Sequence, residues 1–199
     1  MRSNRRRLFG LDRSGPAPPQ TRRGEPLRPL TIPNLLGFAR LAAIPVFLVL
    51  ALGSDDGRYA PATLLYIAIA GADYLDGFLA RATGQYSRLG ALLDPLVDRA
   101  TVLAGVVVCW HFELLPRWAL AALVGREVLT LVLGELALRR GIDVEINWIG
   151  RIAVFCVFAG IALSLMVDWW PVTALFVTGV AVAAVATGVY VKAGLARRR

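Results

Sequence analysis

Chemically versatile side chains are scarce in this 199-residue chain, which has one histidine, two cysteines and two methionines. Cys109 and Cys156 stand alone within apolar runs, which argues against a disulfide framework and against a thiolate metal site. The single histidine, His111, closes an apolar run and reads as an interfacial side chain. Acids are also few, 14 against 22 lysines and arginines, for a net charge of +8. Such a balance could serve nucleic acid, but here the cations gather at the edges of apolar runs, so no nucleic-acid partner is expected. Apolar residues are what the chain has in abundance. They make up 57% of it, with a mean hydropathy of +0.60, whereas soluble domains hold about 45–50% even with glycine counted. The length suits one domain and the apolar excess suits a helical membrane bundle.

Residues 1–33 differ in kind, being rich in arginine and proline, and read as a basic, disordered cytoplasmic arm drawn to anionic headgroups. A membrane-crossing helix needs about 20 residues. The segments 34–53, 59–81, 89–112, 117–138, 148–168 and 170–191 each supply them. The expected fold is therefore all-α, a polytopic membrane protein with six transmembrane helices spanning residues 34–192 and a basic tail over 193–199. Arg81, Arg88, Arg139, Arg140, Arg151 and both terminal segments fall on one side, against only Arg58 and Arg117 on the other. By the positive-inside rule both termini are cytoplasmic, in the cell (inner) membrane.

Against this background "DYLDGFLARATGQYSRLGALLDPLVD", residues 73–98, is out of character, with four aspartates in one stretch. Asp73, Asp76, Gly77 and Ala80 have the i, i+3, i+4, i+7 spacing of one helical face, with Arg81 beside them. Gly90, Asp94 and Asp98 step by four along the next helix. The short connection makes the two helices antiparallel neighbours, so the stripes face each other near the cytoplasmic interface. Each charged aspartate costs ~2.5–3.5 kcal/mol at the centre of a membrane helix and less near its end. Gathering four together adds like-charge repulsion. Divalent cations relieve both, and an all-oxygen donor set suits Mg²⁺ or Mn²⁺. Two such ions can clamp phosphoryl oxygens during displacement. Gly77, Ala80 and Gly90 leave room for a ligand, and Arg81 supplies a positive charge for a phosphate. The blander alternative is a set of interfacial acids paired with Arg81, Arg88 and Arg99. It leaves the coordinated spacing of eight residues unexplained.

The pattern D-x-x-D-G-x-x-A-R, eight residues, G-x-x-x-D-x-x-x-D resembles the signature of the CDP-alcohol phosphotransferase family. "TIPNLLGFAR" at 31–40 is similar to that family's lead-in to its first helix. The resemblance implies six transmembrane helices, a homodimer, and a phosphatidyl group passed from CDP-diacylglycerol to a hydroxyl with release of CMP. It further implies that Asp73, Asp76, Asp94 and Asp98 hold two metal ions and that Asp98 is also the catalytic base. Gly77, Ala80, Arg81 and Gly90 would border the CDP moiety.

The acceptor is read from the fourth helix. "GREVLTLVLGELALRRG" at 125–141 resembles phosphatidylglycerophosphate synthases at Arg126, Glu127, Arg140 and Gly141, with Gly134 where an arginine is expected. "GRIAV" at 150–154 keeps Arg151 but has Ala153 in place of a lysine. Glycerol-3-phosphate is the expected acceptor, with Arg126, Arg139 and Arg151 the candidate residues to bind it. "QYSRLGALLDPLVDR" also looks like actinobacterial-type cardiolipin synthases, which use phosphatidylglycerol, and phosphatidylinositol-phosphate synthases are a third possibility. Arg40 and Asn34 are plausible neighbours of the pocket. A divalent-cation transporter would spread its acids through the bilayer depth, whereas here they gather at one interface.

Overall fold

The computed structural model describes residues 31–83, 85, 87–139 and 148–196, with the side chains of residues 73, 74, 76, 77, 80, 81, 135–139, 148, 149 and 189–196 outside the description. All but the last three residues of the basic arm, together with Arg140 and Gly141, fall outside it. The described residues form six helices and no strand: α1 Ile32–Leu52, α2 Ala60–Thr83, α3 Arg88–His111, α4 Arg117–Arg139, α5 Trp148–Ser164 and α6 Trp170–Ala196.

Two of these helices are both long and apolar enough to cross a membrane, α1 and the Trp170–Gly188 part of α6. Helices α2, α3 and α4 are as long, at 24, 24 and 23 residues, or about 35 Å at 1.5 Å per residue. They are less uniformly apolar because each carries charge along its length: Asp73 and Asp76 in α2, Asp94 and Asp98 in α3, Arg126 and Glu127 in α4.

The chain divides into two compact units. The first comprises the residues up to Leu50 and Leu64–Ala104. Here α1 starts on Thr31, whose Oγ1 accepts from the Asn34 amide at 3.4 Å, the geometry of an N-cap. Pro33 falls in the first turn, where its missing N–H costs nothing, and Pro45 sits inside the helix without ending it. Phe47 and Tyr66 pack ring to ring with centroids 5.1 Å apart. Ile44, Ile69, Leu93 and Val97 of the same unit are also buried.

The second unit comprises Ala51–Thr63 and Gly105–Arg199. Its α6 packs against both α4 and α5. The contact with α5 is close because glycines let backbones approach: a Cβ on Gly160 would stand 2.8 Å from Phe176 Cβ, and one on Gly179 would stand 2.8 Å from Cys156 Cβ. The turn before α2 is built by Ser54, whose Oγ donates to the Ala51 carbonyl and accepts from the Gly57 amide. Gly57 has φ 76° with the Phe112 ring against it, a position only glycine fills without strain.

Two helix ends differ from expectation. Helix α5 stops at Ser164 rather than 168, because its last carbonyls find partners early. The amides of Met166 and Val167 turn back to Leu163, and the Thr63 hydroxyl donates to the Leu165 carbonyl at 3.0 Å. The freed segment exposes Asp168, which faces Arg58 at 3.6 Å. Helix α6 instead continues to Ala196, through the residues expected to begin the tail.

Candidate active site

The site grows from two linked helix starts in the first unit. Ser87 is the N-cap of α3, its Oγ accepting from the Gly90 amide at 2.9 Å. The same hydroxyl donates to Oδ1 of Asn34 at 2.8 Å. Asn34, fully buried, thus ties the first turn of α1 to the first turn of α3. A second tie runs beside it, from the Ile32 amide to Gln85 Oε1 at 3.1 Å. Together they orient α3 as it enters the stretch that carries Asp94 and Asp98.

Gly90 sits at the centre of this clasp. A Cβ there would be 2.7 Å from Asn34 Oδ1 and 3.2 Å from Ser87 Oγ. Its smallness has a structural reason that the sequence reading did not contain. Gly90→Ala is expected to dislodge Asn34 and weaken the cap, at roughly 1–2 kcal/mol. Better helix propensity offsets about half of that. A melting temperature a few degrees lower in detergent is the expected outcome. An unchanged melting temperature would show that Asn34 yields without cost.

Asp94 and Asp98 lie one turn apart on α3. Asp94 is exposed, and the Asp98 side chain is 42% exposed. Asp98 Oδ1 accepts from Nη2 of Arg40 at 2.9 Å. Arg40 reaches from α1, 3% exposed, with its Nε donating to the Ile69 carbonyl at 2.9 Å. On α2 the backbone is helical through Asp73, Asp76, Gly77, Ala80 and Arg81, whose side chains are outside the description. Among the described residues no three His, Cys, Asp or Glu side chains form a metal-binding group. The pair on α3 offers carboxylate oxygen without nitrogen or sulfur, the chemistry that suits Mg²⁺ or Mn²⁺. Its exposure leaves a path for an ion, so these two residues fit the expected metal.

The candidate acceptor residues belong to the second unit. Arg126 forms an ion pair with its neighbour Glu127, both largely buried, and its Nε donates to Thr187 Oγ1 at 3.3 Å. This pairing accounts for a cation within an apolar helix, since each buried charge meets its opposite. Arg139 is the last residue of α4, its side chain outside the description, and Arg151 is half-buried in the first turn of α5.

Comparison with known proteins shows that residues 30–190 match the CDP-alcohol phosphatidyltransferase family, which covers all but the ends of the chain. The chain belongs to that family. It is a transferase of phospholipid biosynthesis, and the matched span contains every helix described above except the end of α6. A Streptomyces coelicolor relative named cardiolipin synthase (CMP-forming) is 39% identical over 174 residues, which is 84% of this chain and 81% of that protein. Other relatives, among them one from Escherichia coli and one from Bacillus subtilis, are named CDP-diacylglycerol–glycerol-3-phosphate 3-phosphatidyltransferase. The one from Escherichia coli K12 is 35% identical over 70% of this chain and 78% of its own length. The one from Bacillus subtilis is 27% identical over 68% of this chain and 76% of its own length.

Within this CDP-alcohol phosphatidyltransferase, sequence reasoning missed Ser87 and Gln85 and gave Arg40 and Asn34 no more than a place near the pocket. Two signals were available. T-x-x-N at 31–34 and S-x-x-G at 87–90 are both N-cap patterns, and Arg40 is a cation inside an apolar run, which requires a partner.

Proposed function

We propose that this protein transfers the phosphatidyl group of CDP-diacylglycerol to phosphatidylglycerol, forming cardiolipin and releasing CMP. The observation that carries the acceptor choice is the likeness to the Streptomyces coelicolor cardiolipin synthase across 84% of the chain. Gly134 and Ala153 support it, because each stands where a phosphate-binding cation is expected for a phosphorylated acceptor. Glycerol-3-phosphate, the acceptor expected from sequence alone, is the second reading. It is favoured by Arg126, Glu127, Arg140 and Gly141 and by the Escherichia coli and Bacillus subtilis relatives.

In this reading six helices cross the membrane, both termini are cytoplasmic, and the acids work at the cytoplasmic interface. Asp73, Asp76, Asp94 and Asp98 would hold two Mg²⁺ or Mn²⁺ ions. When bound, such ions neutralise a diphosphate and clamp its oxygens. Gly77, Ala80 and Gly90 would leave space for the cytidine nucleotide, and Arg81 would pair with its phosphate. The acceptor hydroxyl attacks the phosphorus attached to diacylglycerol, and the bond from that phosphorus to the CMP oxygen breaks. Asp98 takes the hydroxyl proton, a contribution of ~10²–10⁴-fold. Positioning and charge neutralisation supply the rest.

The test is purified protein with CDP-diacylglycerol, Mg²⁺ or Mn²⁺, and either acceptor, read by mass spectrometry of the lipid product. Cardiolipin from phosphatidylglycerol, with glycerol-3-phosphate inert, is the expected result. Phosphatidylglycerophosphate as the sole product would promote the second reading. Arg139→Ala and Arg151→Ala add an independent check. A phosphate monoester carries nearly two charges that arginine can grip with paired hydrogen bonds. Phosphatidylglycerol is a singly charged diester with its own membrane anchorage. Its KM is therefore expected to move by no more than a few fold in either variant, whereas a KM for glycerol-3-phosphate would rise at least tenfold.

A further inference from the structure

Arg40 is a buried cation to which the proposed chemistry gives no task. Burying a guanidinium is unfavourable unless its donors are paired, and both described pairings lead to the acid-bearing helices. Nη2 donates to Asp98 Oδ1 and Nε to the carbonyl of Ile69, each at 2.9 Å. Ile69 precedes Asp73 by four residues within α2, so in the helical ladder the same carbonyl also receives the Asp73 amide. One side chain from α1 thereby grips α2 at the turn carrying Asp73 and grips α3 at Asp98 itself.

We infer that Arg40 is a positioning residue, a strut that fixes the Asp98 carboxylate relative to the Asp73 turn. The guanidinium is suited to this because its donors diverge in a rigid plane, whereas a lysine ammonium is a compact point charge on a flexible stem. The inference rests on the phosphatidyl-transfer reading above, in which Asp73 and Asp98 belong to one site. Groups that orient metal-ligating side chains typically alter metal affinity or activity by ~10–100-fold when removed, which sets the size of the expected effect.

The experiment compares Arg40→Gln and Arg40→Lys with the parent in detergent, by steady-state kinetics and by Mn²⁺ titration read through electron paramagnetic resonance. Both variants are expected to lose ~10–100-fold in kcat, with the KM for CDP-diacylglycerol held within about twofold because no direct donor contact is removed. Arg40→Gln is also expected to weaken Mn²⁺ binding by roughly tenfold. Removing a nearby positive charge would by Coulomb's law tighten it, so the sign separates geometry from charge. A purely structural arginine would lower the melting temperature yet leave the folded fraction with parental kcat and with Mn²⁺ affinity equal or tighter, and that result overturns the strut. If Arg40→Gln does not fold, Arg40→Lys decides, since it retains the charge that Asp98 requires. Parental kcat in that variant overturns the inference, and a tenfold or greater loss at unchanged KM supports it. Should the parent release no CMP with either acceptor, the transfer reading fails, while the Mn²⁺ titration still tests the strut.

Discussion

Asp94→Asn and Asp98→Asn are each expected to lower kcat/KM by ~10²–10³-fold or more, the range found when one preorganised electrostatic contact to a reacting centre is lost. Only Asp98→Asn is expected to lower stability as well. Asparagine matches aspartate in size, so neither change alters packing, and with α3 crossing the membrane as proposed above a neutral side chain is less costly there than a charged one. Insertion should therefore be unimpaired. Asp94 is exposed, so water can take over the contacts of its carboxylate, and substitution there should stay within about 0.5 kcal/mol. Asp98 is the counter-charge of buried Arg40, and asparagine can still accept the hydrogen bond but cannot balance the cation. Breaking a fully buried ion pair from one side costs about 3–5 kcal/mol. Because Asp98 is 42% exposed, water replaces part of that loss, and about 1–2 kcal/mol is expected, or roughly 2–8 °C. Asp73→Asn and Asp76→Asn should match the activity loss. The measurements are CMP release with Mg²⁺ and thermal melts in detergent. Normal turnover by folded Asp94→Asn or Asp98→Asn would remove the acid cluster from the chemistry.

That contrast between two aspartates one turn apart shows what the sequence contains and what it leaves out. All six helices were legible, because apolar runs of 20 or so residues separated by charged or proline-bearing breaks have few alternatives. The motif was legible too, since four acids at helical spacing in an apolar chain are costly without a shared task. Not legible were the partners supplied from far along the chain. Arg40 and Asp98 are 58 residues apart, and Asn34 and Ser87 are 53 apart. Local periodicity carries no information on such pairs. Gly90 illustrates the consequence. Its place in the motif suggested room for a nucleotide, whereas its surroundings in the fold are the Asn34 side-chain amide and the Ser87 cap. The two roles are compatible, because a glycine that lets α1 approach α3 also keeps their shared surface low. The end of α5 was misjudged for a related reason, the partner of the Leu165 carbonyl being Thr63, 102 residues away.

Gly179→Leu is expected to be among the most disruptive single changes in the second unit. In the six-helix membrane arrangement proposed above, helices gain little from hydrophobic burial against one another, because lipid is as apolar as their side chains, and so they rely on close packing at small residues. Helices α5 and α6 do this reciprocally, with Gly160 under Phe176 and Gly179 under Cys156. At Gly179 a Cβ would meet Cys156 Cβ at 2.8 Å, Val157 N at 3.1 Å and the Cys156 carbonyl carbon at 3.2 Å. The Cβ is fixed to the backbone and the other two are backbone atoms, so no rotamer change relieves the clash and the helices must separate. Overpacking of this kind costs about 1–3 kcal/mol and at times more, or roughly 2–12 °C in melting temperature at this chain length. Gly188→Leu is the control on the same helix, since a Cβ there meets nothing within 4 Å. It should leave the melting temperature within about 2 °C of the parent. The readout is a melt of each variant in the same detergent, followed by the Mn²⁺ titration on the folded fraction. The acids of α2 and α3 lie in the first unit, so Gly179→Leu should lower stability while Mn²⁺ affinity holds. Equal melting temperatures for the two variants would mean that α5 and α6 are not held at the observed separation.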